Sequence, residues 1–195
     1  MQVIGLTGGM GMGKSTAAAV FRRARIPVFD ADRVVHALGA RGGRAVAAIE
    51  SAFPGVVRNG AVDRTRLRSR VLAERDGLTR LEAILHPLVL EAERDFLARA
   101  RRARRRLAVL DIPLLFETGG DRRVDRVVVV SAPPSVQRSR LLRRGKMQPG
   151  ELSAILARQM PDREKRRRAD LVVPTGLSRH QGGRLIRRLI RELGA

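Results

Sequence analysis

Apolar positions along the chain fall into two spacings. Short, nearly continuous runs occur at residues 3–7, 26–29, 107–110, 124–130 and 171–173. Runs of this length, bounded by Gly, Pro or Asp, predict buried strands. Between them, apolar residues recur every three or four positions. Ala17, Val20, Phe21 and Ala24 share one face of a helix over 16–24. Leu81, Leu85, Leu88, Ala92 and Phe96 form a stripe in a longer helical region from Leu78. Leu185, Ile186, Leu189, Ile190 and Leu193 form the buried face of a last helix, with Arg184, Arg187, Arg188 and Arg191 outside. Further helices are predicted over 33–38, 44–53, 135–144 and 151–158, with a last turn over 161–168. Asp63 suits the cap of a helix through Ala73, and Ser178 the cap of the final one. Strands alternating with helices, five strands in all, predict an α/β fold with a parallel sheet covered on both faces.

The stretch 33–106 shows no strand pattern and reads as a helical insertion between the second and third strands. Gly39 to Gly43 is a loop, and Pro54-Gly55 and Asn59-Gly60 are turn signals. Pro87 interrupts the long apolar stripe. The residue before a proline is pushed out of the α region, which places His86-Pro87 at a boundary or kink, an exposed helix start. A lone His there is read as structural or as a ligand contact. Residues 145–168, rich in arginine after a glycine break, read as a lid.

One stretch changes the picture from fold to chemistry. Gly8-Gly9-Met10-Gly11-Met12-Gly13-Lys14-Ser15 fits G-x-x-x-x-G-K-[ST] and sits between the first strand and the first helix. Glycines let the backbone turn successive N–H groups inward, and the following helix adds the positive end of its dipole. In this pattern Lys14 reaches the β- and γ-phosphates and Ser15 ligates Mg²⁺. Lysine occurs only at Lys14, Lys146 and Lys165 in an arginine-rich chain, so a lysine in the loop points to a need for the compact ammonium.

Two strand ends carry carboxylates. The second strand runs into Asp30-Ala31-Asp32, and ligands of open α/β sheets sit beyond such ends. Asp30 or Asp32 is then a base for the attacking hydroxyl, or a cap for the helix that follows; both readings stand. The third strand ends in Asp111, a position suited to holding Mg²⁺ through water. Ile112-Pro113-Leu114-Leu115-Phe116-Glu117 continues from it as an apolar segment ending in an acid.

Composition narrows the classes. A chain of 195 residues supports one domain with inserted subdomains. It has no Cys, which excludes a disulfide framework and a thiolate metal site. No signal pattern and no bilayer-length apolar run are present, so a cytoplasmic protein without membrane attachment is expected. The net charge of +21 invites polyanions. The arginines are spread along the whole chain, however, and five Phe with no Tyr or Trp leave few stacking surfaces, so no specific nucleic acid is expected.

Together, Leu6-Thr7-Gly8-Gly9-Met10-Gly11-Met12-Gly13-Lys14-Ser15-Thr16, Asp30-Ala31-Asp32, His86-Pro87 and Asp111-Ile112-Pro113-Leu114-Leu115-Phe116-Glu117 resemble the dephospho-CoA kinase family. Gln137, Arg140, Arg144, Arg158-Gln159 and Ala169-Asp170 extend the resemblance over nearly the whole length. It implies a P-loop kinase-type three-layer fold over 1–195, with a five-stranded parallel sheet, a helical acceptor-binding insertion at about 33–106 and a helical lid at about 145–168. The implied reaction moves the γ-phosphoryl of ATP to the ribose 3′-hydroxyl of dephospho-CoA, with Mg²⁺. By the same likeness, Asp32 is the general base, and Lys14 and Arg140 neutralise the transferring group. Gly9, Gly11, Met12, Gly13, Lys14, Ser15, Thr16 and Arg144 hold ATP. Thr7, Asp32, His86, Leu115, Phe116 and Glu117 hold the acceptor. Met12 stands where a small polar residue is usual, and Pro174-Thr175-Gly176 replaces a usual Asn beside adenine. The alternatives are another small-molecule kinase, a nucleic-acid-stimulated NTPase and an idle nucleotide-binding regulator.

Overall fold

A computed structural model describes residues 1–143, 159–176 and 179–194. Arg144, Arg158, the helix expected over 151–158 and the Ser178 cap lie outside the described residues. The strands are β1 (Gln2–Thr7), β2 (Val28–Asp30), β3 (Val57–Arg58), β4 (Ala61–Val62), β5 (Leu107–Asp111), β6 (Arg126–Ser131) and β7 (Leu171–Pro174). The chain divides into two compact units, residues 1–30 with 99–195, and residues 31–98.

The first unit is built on a five-stranded sheet in the order β2-β5-β1-β6-β7, parallel at every pairing. β6 shows how both faces are buried. Val128 and Val130 join Ile4, Leu6 and Val109 in a core closed by α1 (Lys14–Arg23) and the C-terminal helix Arg179–Glu192. Val127 and Val129 point the other way, into a cluster with Leu115 and Phe116. α1 presents Ala17, Ala18, Val20 and Phe21 to the first core, and the C-terminal helix presents Ile186 and Ile190. An apolar run on a strand buried on both faces is what parallel pairing requires.

The second unit is not purely helical. α2 (Ala31–Leu38) and α3 (Val46–Ala52) are followed by an antiparallel pair, Val57↔Val62 and Arg58↔Ala61, before α4 (Arg64–Ala73). Asn59 and Gly60 both take positive φ, 51° and 75°, as a two-residue hairpin turn demands. The expectation of no strands in this stretch is therefore corrected; two-residue strands are too short to show an alternating pattern. Glu50 receives the N–H groups of Gly55 and Val57, each at 2.8 Å, and so fixes the entry to the hairpin. Asp63 caps α4 by accepting from Thr65 and Arg66.

The long helix α5 (Gly77–Arg102) carries Pro87 inside it, so no helix start lies at His86. Proline here removes one backbone bond and strains a turn, at about 3 kcal/mol. Packing outweighs that cost. Leu81, Ile84 and Leu85 before it, and Leu88 and Val89 after it, lie against the core of Ile49, Phe53, Val56 and Val71. Pro87 and His86 themselves are exposed.

Candidate active site

The loop after β1 is a turn in which two glycines have no substitute. Gly11 and Gly13 have φ of 78° and 91°, where a side chain is strained. Gly13 heads α1, whose first turn begins with Lys14 and Ser15 and offers the N–H groups that a helix leaves without internal partners. Lys14 Nζ lies 2.5 Å from Asp111 Oδ1. The pair follows from the sheet: β1 and β5 are adjacent, and Asp111 is in register with Leu6. β2 lies on the far side of β5 with Asp30 in register with Asp111. Three chemistry-bearing strand ends are thus side by side.

Side chains from the end of the sheet and from α6 (Pro134–Arg143) hold the loop in shape. Gln137 Nε2 donates to the Met10 carbonyl at 2.8 Å, and Gln159 Oε1 accepts from Met10 N–H at 3.2 Å. Arg140 donates to Gly11 O, to Thr175 Oγ1 and to Thr175 O, and Thr175 Oγ1 donates to Met12 O. Thr175, which stands where the resemblance places an adenine-side Asn, braces the phosphate loop with its hydroxyl. Met12 is a core residue. It is buried, its sulfur accepts from Ala132 N–H, and its own N–H is taken by Gly9 O.

Beside this loop is a cavity of about 310 Å³, lined among others by Gly13, Thr16, Arg140, Thr175, Gly182 and Gly183. The paired glycines of the C-terminal helix went unremarked in the sequence. They are a legible signal, because Gly182 is packed where a Cβ would stand 3.2 Å from Pro174 O.

The expected acceptor residues separate into groups. Thr7 is fully buried and donates from Oγ1 to Pro113 O at 3.0 Å. Leu115 and Phe116 are buried in the cluster with Val127 and Val129, so their side chains pack in the core. Leu114, one residue earlier, is the exposed apolar side chain of that segment. Glu117 is ion-paired with Lys165, Oε1 to Nζ at 2.8 Å. Asp32 and His86 belong to the second unit and are both exposed. Asp32 lies inside the first turn of α2, which begins at Ala31, so Asp32 is not that helix's cap. Asp30, the last residue of β2, pairs with Arg22 at 3.2 Å.

Ser15 and Asp111 are the oxygen donors suited to Mg²⁺, an ion that takes few protein ligands and keeps water and phosphate oxygens for the rest. Ser15 is exposed at the helix start and Asp111 is buried at the strand end. The hard-oxygen character of this pair fits the ion.

A parallel sheet with a glycine-rich phosphate loop after its central strand, a loop lysine and a carboxylate on the neighbouring strand define a P-loop kinase. The family model for dephospho-CoA kinase matches residues 2–178. The chain belongs to the dephospho-CoA kinase family. A dephospho-CoA kinase of Paramagnetospirillum magneticum is 64% identical over 85% of this chain and 78% of its own length. One of Rhodopseudomonas palustris is 52% identical over 99% and 94%. A crystal structure of a Thermus thermophilus protein superposes with a TM-score of 0.84 at 34% identity, covering 98% of this chain and 97% of that one. The dephospho-CoA kinase of Campylobacter jejuni, 21% identical, shares the fold with a TM-score of 0.74 over 99% and 98%. The protein is thus a phosphotransferase acting on an alcohol group. Among the described residues no helix is long and apolar enough to cross a membrane.

Proposed function

We propose that this chain transfers the γ-phosphoryl group of ATP to the ribose 3′-hydroxyl of dephospho-CoA, giving CoA and ADP, in the cytoplasm where ATP is supplied. The observation that carries the reading is the glycine-turned loop with Lys14 held on Asp111, within a chain of this family. Residues 8–16 cradle the phosphates through backbone N–H groups and the dipole of α1. Lys14 exchanges its carboxylate partner for the β- and γ-phosphates. Arg140, already bonded to the loop at Gly11 O, adds positive charge where the transferring group develops its own. The cavity between Thr16, Arg140, Thr175 and Gly182 takes the nucleoside.

Asp32 accepts the proton of the 3′-hydroxyl. It follows by two residues the strand end whose register partner is Asp111, and an exposed carboxylate is available to a substrate. His86 contacts the acceptor from α5. Ser15, with Asp111 through water, would hold Mg²⁺, which would offset charge on the phosphate oxygens. Little covalent chemistry falls to the protein, so positioning and charge supply the rate.

Incubation of the full chain with ATP and dephospho-CoA, followed by mass analysis, tests the reading. A product heavier by one phosphoryl group on the ribose supports it. ATP turnover only with another alcohol would overturn it.

A further inference from the structure

Lys165 is fully buried, although it belongs to the short helix Asp162–Arg167 whose arginines are exposed. Its Nζ meets Glu117 Oε1 at 2.8 Å and donates to Pro113 O at 3.3 Å. The same Pro113 carbonyl accepts from Thr7, the residue before the phosphate loop. Glu117 Oε1 also accepts from Met160 N–H at 2.8 Å. Met160 follows Gln159, whose side chain accepts from Met10 N–H inside the loop.

A desolvated ammonium is costly even when paired, and an apolar side chain of similar volume would fill the space without that cost. What the charged pair adds is direction. It holds one carbonyl and one N–H at set positions: the Pro113 carbonyl itself accepts from Thr7 of the leading strand, and the Met160 N–H is one residue from Gln159, which touches the loop.

The geometry points to Lys165 and Glu117 as positioning residues that set the phosphate loop through Gln159. This gives Glu117 a task other than acceptor contact, and it rests on the reading that residues 8–16 bind ATP. Fixing the segment at Met160 places the Gln159 carboxamide against Met10 N–H. Gln137 holds the other side of the same residue, at its carbonyl. Met10 is thereby gripped at both its N–H and its carbonyl. Loss of one grip lets the loop relax from the conformation that matches the phosphates, and small misplacements of this kind reduce rate or binding by about 10- to 100-fold.

The experiment compares the full chain with K165M, E117M, K165M/E117M and Q159A. Thermal midpoint, kcat, KM for ATP and the amide signal of Met10 are read for each. The change at Glu117 lowers the midpoint most, because it leaves the buried Lys165 ammonium without its carboxylate; the double change recovers most of the loss. The double variant nevertheless keeps a KM for ATP raised about tenfold and a Met10 amide displaced as in Q159A. Adding Q159A to it changes little more. A stable double variant with the parent KM and an unmoved Met10 amide overturns the inference. If the double variant fails to fold, Q159A alone decides: an unchanged KM with an unmoved amide also overturns it. Failure of the parent chain to phosphorylate dephospho-CoA would instead remove the functional reading, while the Met10 amide would still report on the brace.

Discussion

Lys14 donates a charged hydrogen bond to Asp111 across adjacent strand ends, at 2.5 Å, with both side chains largely shielded from water. The cation proposed to bind phosphate therefore has a carboxylate partner of its own. In this arrangement Asp111 keeps Lys14 oriented and limits the repulsion that a lone buried cation would meet.

Replacing Lys14 by Ala is expected to lower kcat/KM for ATP by about two to four orders of magnitude, since it removes charge placed on the transferring group. The midpoint should fall as well, because the change leaves the buried Asp111 carboxylate without its ammonium, whereas Asp111→Ala leaves a half-buried lysine without its carboxylate. Steady-state kinetics with calorimetry separates the two. Parent kinetics in Lys14→Ala would remove the loop from the reaction.

Asp32→Asn retains size and lies on an exposed position of α2. Its thermal midpoint should match the parent, while phosphoryl transfer falls by about 10²- to 10⁴-fold, the span typical of a lost general base. Single-turnover measurement with ATP and dephospho-CoA is the check. Turnover at the parent rate would show that another group, or none, takes the proton.

Thr175→Val removes a hydroxyl that donates to Met12 O while accepting from Arg140. The loss is that of a neutral hydrogen bond and leaves a carbonyl short of a donor, about 1–3 kcal/mol. The KM for ATP should rise with a smaller change in kcat, because the phosphate loop, not the reacting hydroxyl, is loosened. An ATP titration and rate measurement on the variant test this split.

Glu50 supplies the pH dependence. The N–H of Gly55, and next that of Val57, hold its carboxyl below the ordinary glutamate value, against the smaller opposing effect of desolvation. A depressed carboxylate contributes stability that is complete above its unfolded value and fades as pH falls through the lower folded one. Glu50→Gln should therefore lower the midpoint at neutral pH, with the gap to the parent narrowing in acid. Equal gaps at all pH values would show that ionisation of Glu50 is irrelevant to the hairpin.

The apolar runs disclosed all five strands of the large sheet because β1, β5 and β6 are buried on both faces, and the half-buried edge strands β2 and β7 still carry short apolar runs. Val57–Arg58 and Ala61–Val62 were invisible because a two-residue strand has no period; Asn59-Gly60 was legible only as a turn. Pro87 misled for a different reason. The local rule against proline is worth about 3 kcal/mol, and five apolar side chains on one helical face override it. At the site, the loop spacing between a strand and a helix named Lys14 and Ser15. The burial of Leu115 and Phe116 was not legible, because an apolar segment leaving a strand end looks the same whether it lines a ligand or closes a core. Gln159 and Lys165 act through partners more than forty residues away in the chain, a relation no local pattern encodes.

β5 lies between β1 and β2 in the sheet, yet it is synthesised after both and after all of residues 31–98. On the ribosome, the two earliest strands emerge with a gap of one strand between them. The nascent loop thus has its lysine long before the counter-charge of residue 111 exists. The nucleotide-binding unit can close only once that late strand slides into place, which makes its assembly a long-range event and leaves the early strand edges exposed to chaperones in the meantime.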